Sequence, residues 1–238
     1  MRLLASSILV LALVATLCTT ASGQAPQRQR GPRMTPEQAQ AAWTLQASHV
    51  AGKLEISKEQ TTKLVDAYKK ARASCSEAMT KAREEARANA DTEDRQAMRQ
   101  AMREAQQKVT KAETEKFAKA VGAILDKEKT GKAVKQLGTF SGSLDRMVNV
   151  VAGLKLDKAK QAKALDIVSA YTVESTAALA KARASGDRES MRGLFQEQRT
   201  KLNEAMGKVL SEEQMTKWTE ANARRGRSGG RRGGGAGQ

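Results

Sequence analysis

Five sites along the chain share one pattern: a hydrophobic residue, then Ser, Thr or Asp, then Gln or Lys three positions later. They are Met34-Thr35 with Gln38, Ile56-Ser57 with Gln60, Leu125-Asp126 with Lys129, Leu156-Asp157 with Lys160, and Leu210-Ser211 with Gln214. A hydroxyl or carboxylate at the second position accepts from the backbone N–H three residues on, and a Gln there can return a bond to the cap. The hydrophobic residue in front can staple the entering chain onto the first turn. At the first site Pro36 adds a fixed φ that suits the first helical position. Each site therefore reads as a helix start.

Little in the sequence competes with helix. All three prolines precede residue 40, aromatic residues make up 3% of the chain, and Ala, Lys, Glu, Gln, Arg and Met dominate. After Ser57, the residues Leu64, Tyr68, Ala71, Cys75, Ala78 and Ala82 alternate at spacings of four and three, which predicts one narrow helical seam. Asn89-Ala90-Asp91-Thr92 interrupts that run and is expected to cap a second long helix. Its inner residues are expected to be Met98, Met102, Ala105, Val109, Ala112, Phe117, Val121 and Ile124. The two arms predict an antiparallel helical hairpin.

The same plan recurs. Leu54-Glu55-Ile56-Ser57-Lys58 aligns with Leu154-Lys155-Leu156-Asp157-Lys158 at an offset of 100. Phe117 to Asp126 aligns with Leu202 to Ser211 at an offset of 85. Between these anchors Ala86-Arg87-Ala88 resembles Ala182-Arg183-Ala184, and Met98-Arg99 resembles Met191-Arg192. Each copy also has a short leading helix, ending near Val50 and near Val151. Ordered anchors at both ends of both copies indicate a tandem duplication, the second copy about four helical turns shorter. The expected fold is all-α: two tandem antiparallel helical hairpins, extended, with short flanking helices, over 34–138 and 139–223.

The two ends differ from this body. Residues 1–23 combine Arg2, an apolar run from Ile8 to Leu17 and a small-residue exit at Ala21-Ser22-Gly23, the pattern of a secretory signal peptide cleaved near Gly23. The run is too short to span a bilayer, which takes about 20 residues. Cys18 invites a lipoprotein reading, but the bulky Leu17 before it argues against one. No later segment is apolar enough to cross a membrane, so a soluble, periplasmic or secreted protein is expected. The chain carries a net charge of +16. Much of that charge sits in a leader over 24–33 (Arg28, Arg30, Arg33) and in a Gly/Arg tail over 224–238 (Arg224, Arg225, Arg227, Arg231, Arg232). Neither end has the apolar residues to offset its ordering entropy, so both are expected to be disordered.

No catalytic or cofactor pattern emerges, and a non-enzymatic protein without a cofactor is expected. There is no phosphate-binding glycine loop, no Ser-His-Asp set and no Cys/His cluster. Glu84, Glu85, Glu93 and Asp94 sit among Lys and Arg at helical spacing, as on a solvated, ion-paired face. His49 is the only histidine, and Cys75 the only cysteine after the leader. Cys75 reads as a packed seam residue, with a thiol that pairs between two chains as the alternative. Met98, Met102 and Met191, together with Met79 and Met206, read first as flexible core fillers. Met98, Met102 and Met191 are also candidates for an adaptable client-contact patch. The tail arginines lack interleaved aromatics for base stacking, so they point to a solvated tail or one touching anionic envelope polymers before nucleic acid.

The boxes Ile56-Ser57-Lys58-Glu59-Gln60 and Leu210-Ser211-Glu212-Glu213-Gln214 resemble the Leu-Thr-x-x-Gln motifs of the Spy/CpxP family of periplasmic proteins, with Met34-Thr35-Pro36-Glu37-Gln38 a looser match. None is the strict form, and Lys129 and Lys160 replace the Gln in two. The resemblance implies an exported helical protein of thin hairpins, acting as an ATP-independent chaperone (holdase) for unfolded envelope proteins or as an envelope-stress protein. One His and one mature Cys leave no ligand set for the family's zinc-binding branch. Two hairpins in one chain suggest a monomeric pseudo-dimer in place of the family's homodimer, with a homodimer the alternative. The competing reading is a scaffolding envelope protein that uses its basic ends to hold anionic polymers.

Overall fold

A computed structural model describes residues 34–88, 94–184 and 188–223, and these are all-helical, with no strand among them. The helices are α1 (Pro36–Lys53), α2 (Lys58–Ala88), α3 (Arg95–Gly122), α4 (Lys127–Leu137), α5 (Gly142–Gly153), α6 (Lys158–Ala184), α7 (Arg188–Gly207) and α8 (Glu212–Ala223). The signal-peptide, leader and tail readings lie outside the described residues. No described helix is long and apolar enough to cross a membrane.

Local chemistry explains where the helices begin. Thr35 Oγ1 accepts from the Gln38 amide and Gln38 Oε1 accepts from the Thr35 amide, closing a reciprocal capping box at α1. Ser57 and Gln60 do the same at α2, and Ser211 and Gln214 at α8. Asp126 and Asp157 accept from the amides of Lys129 and Lys160 at 2.8 Å, which caps α4 and α6 one-sidedly. The cap of α3 is a correction. Asp94 accepts from the amides of Gln96 and Ala97 and is the N-cap, whereas the expected cap, Asn89 to Thr92, lies outside the described residues.

Helices α1–α4 and α5–α8 correspond in order, and the correspondence extends to the backbone. α1 ends at C-cap Leu54 and α5 at C-cap Leu154, each followed by a non-glycine residue in the left-handed region, Glu55 (φ 50°) and Lys155 (φ 51°). A left-handed L-residue costs roughly 1–2 kcal/mol, so its recurrence at one point of the plan marks a corner set by the packing around it. Leu64, Val65 and Tyr68 of α2 are buried, and so are Ala164, Leu165 and Val168 of α6 at the matching positions.

Two hydrophobic cores result. One joins Val50, Ala51, Leu54, Leu64, Tyr68, Phe117, Val121, Leu125 and Leu137 from α1–α4. The other joins Leu144, Val148, Val151, Leu165, Val168, Leu202, Met206, Leu210 and Trp218 from α5–α8, together with Ala42 of α1. Burying each large apolar side chain contributes roughly 1.5–3 kcal/mol. Contacts between α2 and α3 run in reverse order: Gln60 reaches Ile124, Tyr68 packs on Phe117 with ring centroids 5.7 Å apart, and Met79 lies beside Gln106 and Thr110. Along α3, Phe117 and Val121 are buried as expected, but Ala112 is exposed and Glu113 takes the inner place.

The two halves meet where α1 packs against α5. A buried polar cluster lies there. Gln46 Nε2 donates to Asp145 Oδ1 (3.0 Å), Tyr68 Oη donates to Gln46 Oε1 (2.9 Å), and Arg72 Nη2 donates to Asp145 Oδ2. The Arg72 guanidinium also lies 5.3 Å from the Trp43 ring centre and 5.8 Å from that of Phe140. A second contact joins α1 to α6: His49 Nε2 lies 2.9 Å from Asp166 Oδ1, and Lys53 Nζ donates to the same oxygen at 2.7 Å.

Candidate functional site

The hydrophobic residues that precede the boxes differ in burial, Met34 being half-buried and outside both cores. Leu125 and Leu210 are buried, while Ile56 and Leu156 are half-buried against their respective cores. The boxes therefore build corners and present no reactive group. Gln60 has a further task that its spacing did not reveal. Besides closing its own box, it donates through Nε2 to the Ile124 carbonyl at 3.2 Å, tying the start of α2 to the end of α3. A free carbonyl at a helix end needs such a partner when it is only partly solvated.

Met98 and Met102 lie half-buried on the first part of α3, and Met191 lies in α7, its side chain outside the described set. Met79 borders a shallow depression with Arg103, Gln106, Gln107, Thr110 and Lys111. Met206 is fully buried and belongs to the second core. Cys75 is buried as well, and burial pushes its thiol pKa up, which lowers its reactivity as a thiolate. The tail residues Arg224, Arg225, Arg227, Arg231 and Arg232 lie outside the described residues.

An open groove of about 540 Å³ lies between α2 and α3. Ala67, Ala71, Phe117, Ala120 and Ile124 supply apolar lining, while Lys63, Asp66, Lys70, Ser74 and Lys116 complete it. The groove exists because alanines at i and i+4 on α2 leave space above the Phe117 ring, which is itself 1% exposed. Beneath the Ser74–Lys116 end lies Glu113. Burial pushes its carboxyl upward, but hydrogen bonds from Lys116 and Ser74 outweigh that and hold its pKa below the ordinary value. Glu113 thus stays ionised and anchors Lys116, whose Nζ donates to Glu113 Oε1 at 2.7 Å. Burial also raises the pKa of the Tyr68 phenol, which remains a neutral hydrogen-bond donor in the adjoining core.

Such a groove can hold apolar side chains and attract carboxylates. Among the described residues no group of three or more His, Cys, Asp or Glu side chains is placed to hold a metal ion. Sequence reading placed Ala71 in the seam but missed the groove. The available signal was the pair Ala67 and Ala71, two small residues one turn apart on a face otherwise rich in lysine. Comparison with protein-family models, with curated proteins and with solved structures finds no match to this chain.

Proposed function

We propose that this chain is an exported, nucleotide-independent holdase of the Spy/CpxP type, which binds unfolded or partly folded envelope proteins. The observation that carries the reading is the groove of α2 and α3, an apolar floor edged by Lys63, Lys70 and Lys116 on long helices with little core beneath their far ends. Unfolded chains expose apolar side chains, and the net positive charge of the chain attracts acidic segments at long range. The capping boxes and the reverse-order contacts of α2 and α3 support two antiparallel hairpins in tandem. The α1–α5 contact supports an internal pseudo-dimer in place of a homodimer. Export follows from the signal-peptide pattern of residues 1–23.

The test is aggregation of a thermally or chemically unfolded protein, without nucleotide, in the presence of the chain from Gln24 to Gln238. Near-equimolar protein should suppress light scattering, and removal of residues 224–238 should leave that suppression intact. Loss of suppression with the tail alone would favour the scaffolding reading, in which the tail arginines hold anionic polymers. Sedimentation at micromolar concentration should give a monomer.

A further inference from the structure

The two halves can be laid over each other residue by residue, and at the groove they differ both in side-chain size and in charge. On α6 the counterparts of Lys63 and Asp66 are Lys163 and Asp166, and on α7 the counterpart of Lys116 is Lys201. The frame is retained in part: Lys70 and Ser74 correspond to Ala170 and Glu174, and Phe117 to the smaller Leu202. At the floor, however, Ile167 and Tyr171 stand where the first half has Ala67 and Ala71. Both larger side chains lie partly buried and packed against the second core. The neighbouring helix reports the same difference: Ala120 is exposed, whereas its counterpart Ala205 is half-buried. The second half supplies, from its own helix, the side chains that the first half lacks.

We infer that the groove of the first half is a docking site for a protein segment that presents an aromatic and a branched aliphatic side chain about one helical turn apart, flanked by carboxylates. The partner fills in trans the place that Tyr171 and Ile167 fill in cis. The volume, about 540 Å³, falls in the range of sites that bury side-chain-sized groups, and Phe117 and Ile124 offer apolar walls. At the rim Lys63 pairs with Glu59 (2.6 Å) and Lys116 with Glu113 (2.7 Å), so Lys70 is the cation that can meet a carboxylate flanking the segment. The inference refines the holdase reading and rests on it for the nature of the partner, a segment exposed by unfolding.

Copying the second half into the first tests it. The double variant Ala67→Ile/Ala71→Tyr in the mature chain should keep its helical signal and melting temperature while closing the groove. Two probes are titrated against it and the parent. One is a dye-labelled 12-residue peptide with Ile and Tyr four positions apart between Asp residues. The other is reduced, carboxymethylated α-lactalbumin, a permanently unfolded acidic protein. The expected result is peptide binding by the parent that weakens at least about tenfold on plugging, a difference of about 1.4 kcal/mol. A second variant, Lys70→Glu, leaves the floor untouched and should weaken the peptide about three- to fivefold, an effect that shrinks with salt. If plugging disturbs the fold, Lys70→Glu and the single Ala71→Tyr decide the matter in the same assay.

Equal binding of the peptide by parent and variants, or none by the parent, overturns the docking site. Binding of unfolded lactalbumin that plugging leaves unchanged also overturns it, while the holdase reading stands. Plug-sensitive peptide binding with no affinity for lactalbumin upholds the site and defeats the holdase reading.

Discussion

In the first half, α1 turns into α2 through Leu54 and left-handed Glu55; in the second, α5 turns into α6 through Leu154 and left-handed Lys155. The corners are alike, but the arms that leave them differ. α2 and α3 run for 31 and 28 residues, α6 and α7 for 27 and 20. Arg72 of α2 reaches across to Asp145, whereas its counterpart Thr172 turns inward and donates to the Val168 carbonyl of its own helix. The first core holds a cluster of three rings, Tyr68, Phe117 and Phe140, with centroids within 6.3 Å of one another, while the second combines Trp218 and Tyr171 with aliphatic residues. The corners hold the common plan, and the middle of each arm carries the differences.

The sharpest break between the halves should come at Asp145. Asp145→Ala leaves Arg72 charged and buried, and removing one member of a buried pair costs about 3–5 kcal/mol in chemical denaturation. The double change Arg72→Met/Asp145→Leu should recover most of that loss, because the desolvated charges go together. Thr172→Ala, at the matching place in the second half, should cost no more than about 1 kcal/mol.

Next in size is the motif glutamine. Gln60→Ala loses both its box and its bond to Ile124, so about 1–2 kcal/mol is expected. Gln214→Ala loses only its box, and about 0.5–1 kcal/mol should follow. Equal losses at the two sites would mean that the Ile124 bond contributes nothing.

The corners should behave alike. Glu55→Gly and Lys155→Gly each relieve a left-handed L-residue and should raise stability by about 0.5–1 kcal/mol, with the two effects additive. The smallest effect concerns pH. Burial raises the pKa of the Asp166 carboxyl, but hydrogen bonds from Lys53 and His49 outweigh that and set it below the ordinary value. Its contribution is therefore fully present above the unfolded carboxylate pKa and fades as pH falls through the lower folded one. Asp166→Asn should flatten that part of an acid titration followed by circular dichroism.

Features fixed by local bonding were the most legible. Boxes at Thr35, Ser57, Asp126, Asp157 and Ser211 could be read because a cap and its N–H partner lie three residues apart. The start of α3 was harder: Asn89, Asp91, Thr92 and Asp94 can all cap, and adjacent residues alone do not choose between them. Glu113 displaced Ala112 from the inner face only because Ser74 and Lys116 satisfy its carboxylate, and Ser74 comes from another helix. Arg72 and Asp145, 73 positions apart, each look like a solvated charge until α5 is brought onto α1 and α2. The groove is a missing volume, which becomes visible only after Phe117 is seated beneath Ala67 and Ala71.

Amide NMR of the mature chain, titrated with reduced, carboxymethylated α-lactalbumin, tests the central claim most directly, because it compares the halves within one molecule. The expected result is chemical-shift change concentrated at Ala67, Lys70, Ala71 and Ala120, with Ile167, Ala170, Tyr171 and Ala205 nearly unmoved. Shifts of equal size on both halves, or none on either, would contradict it.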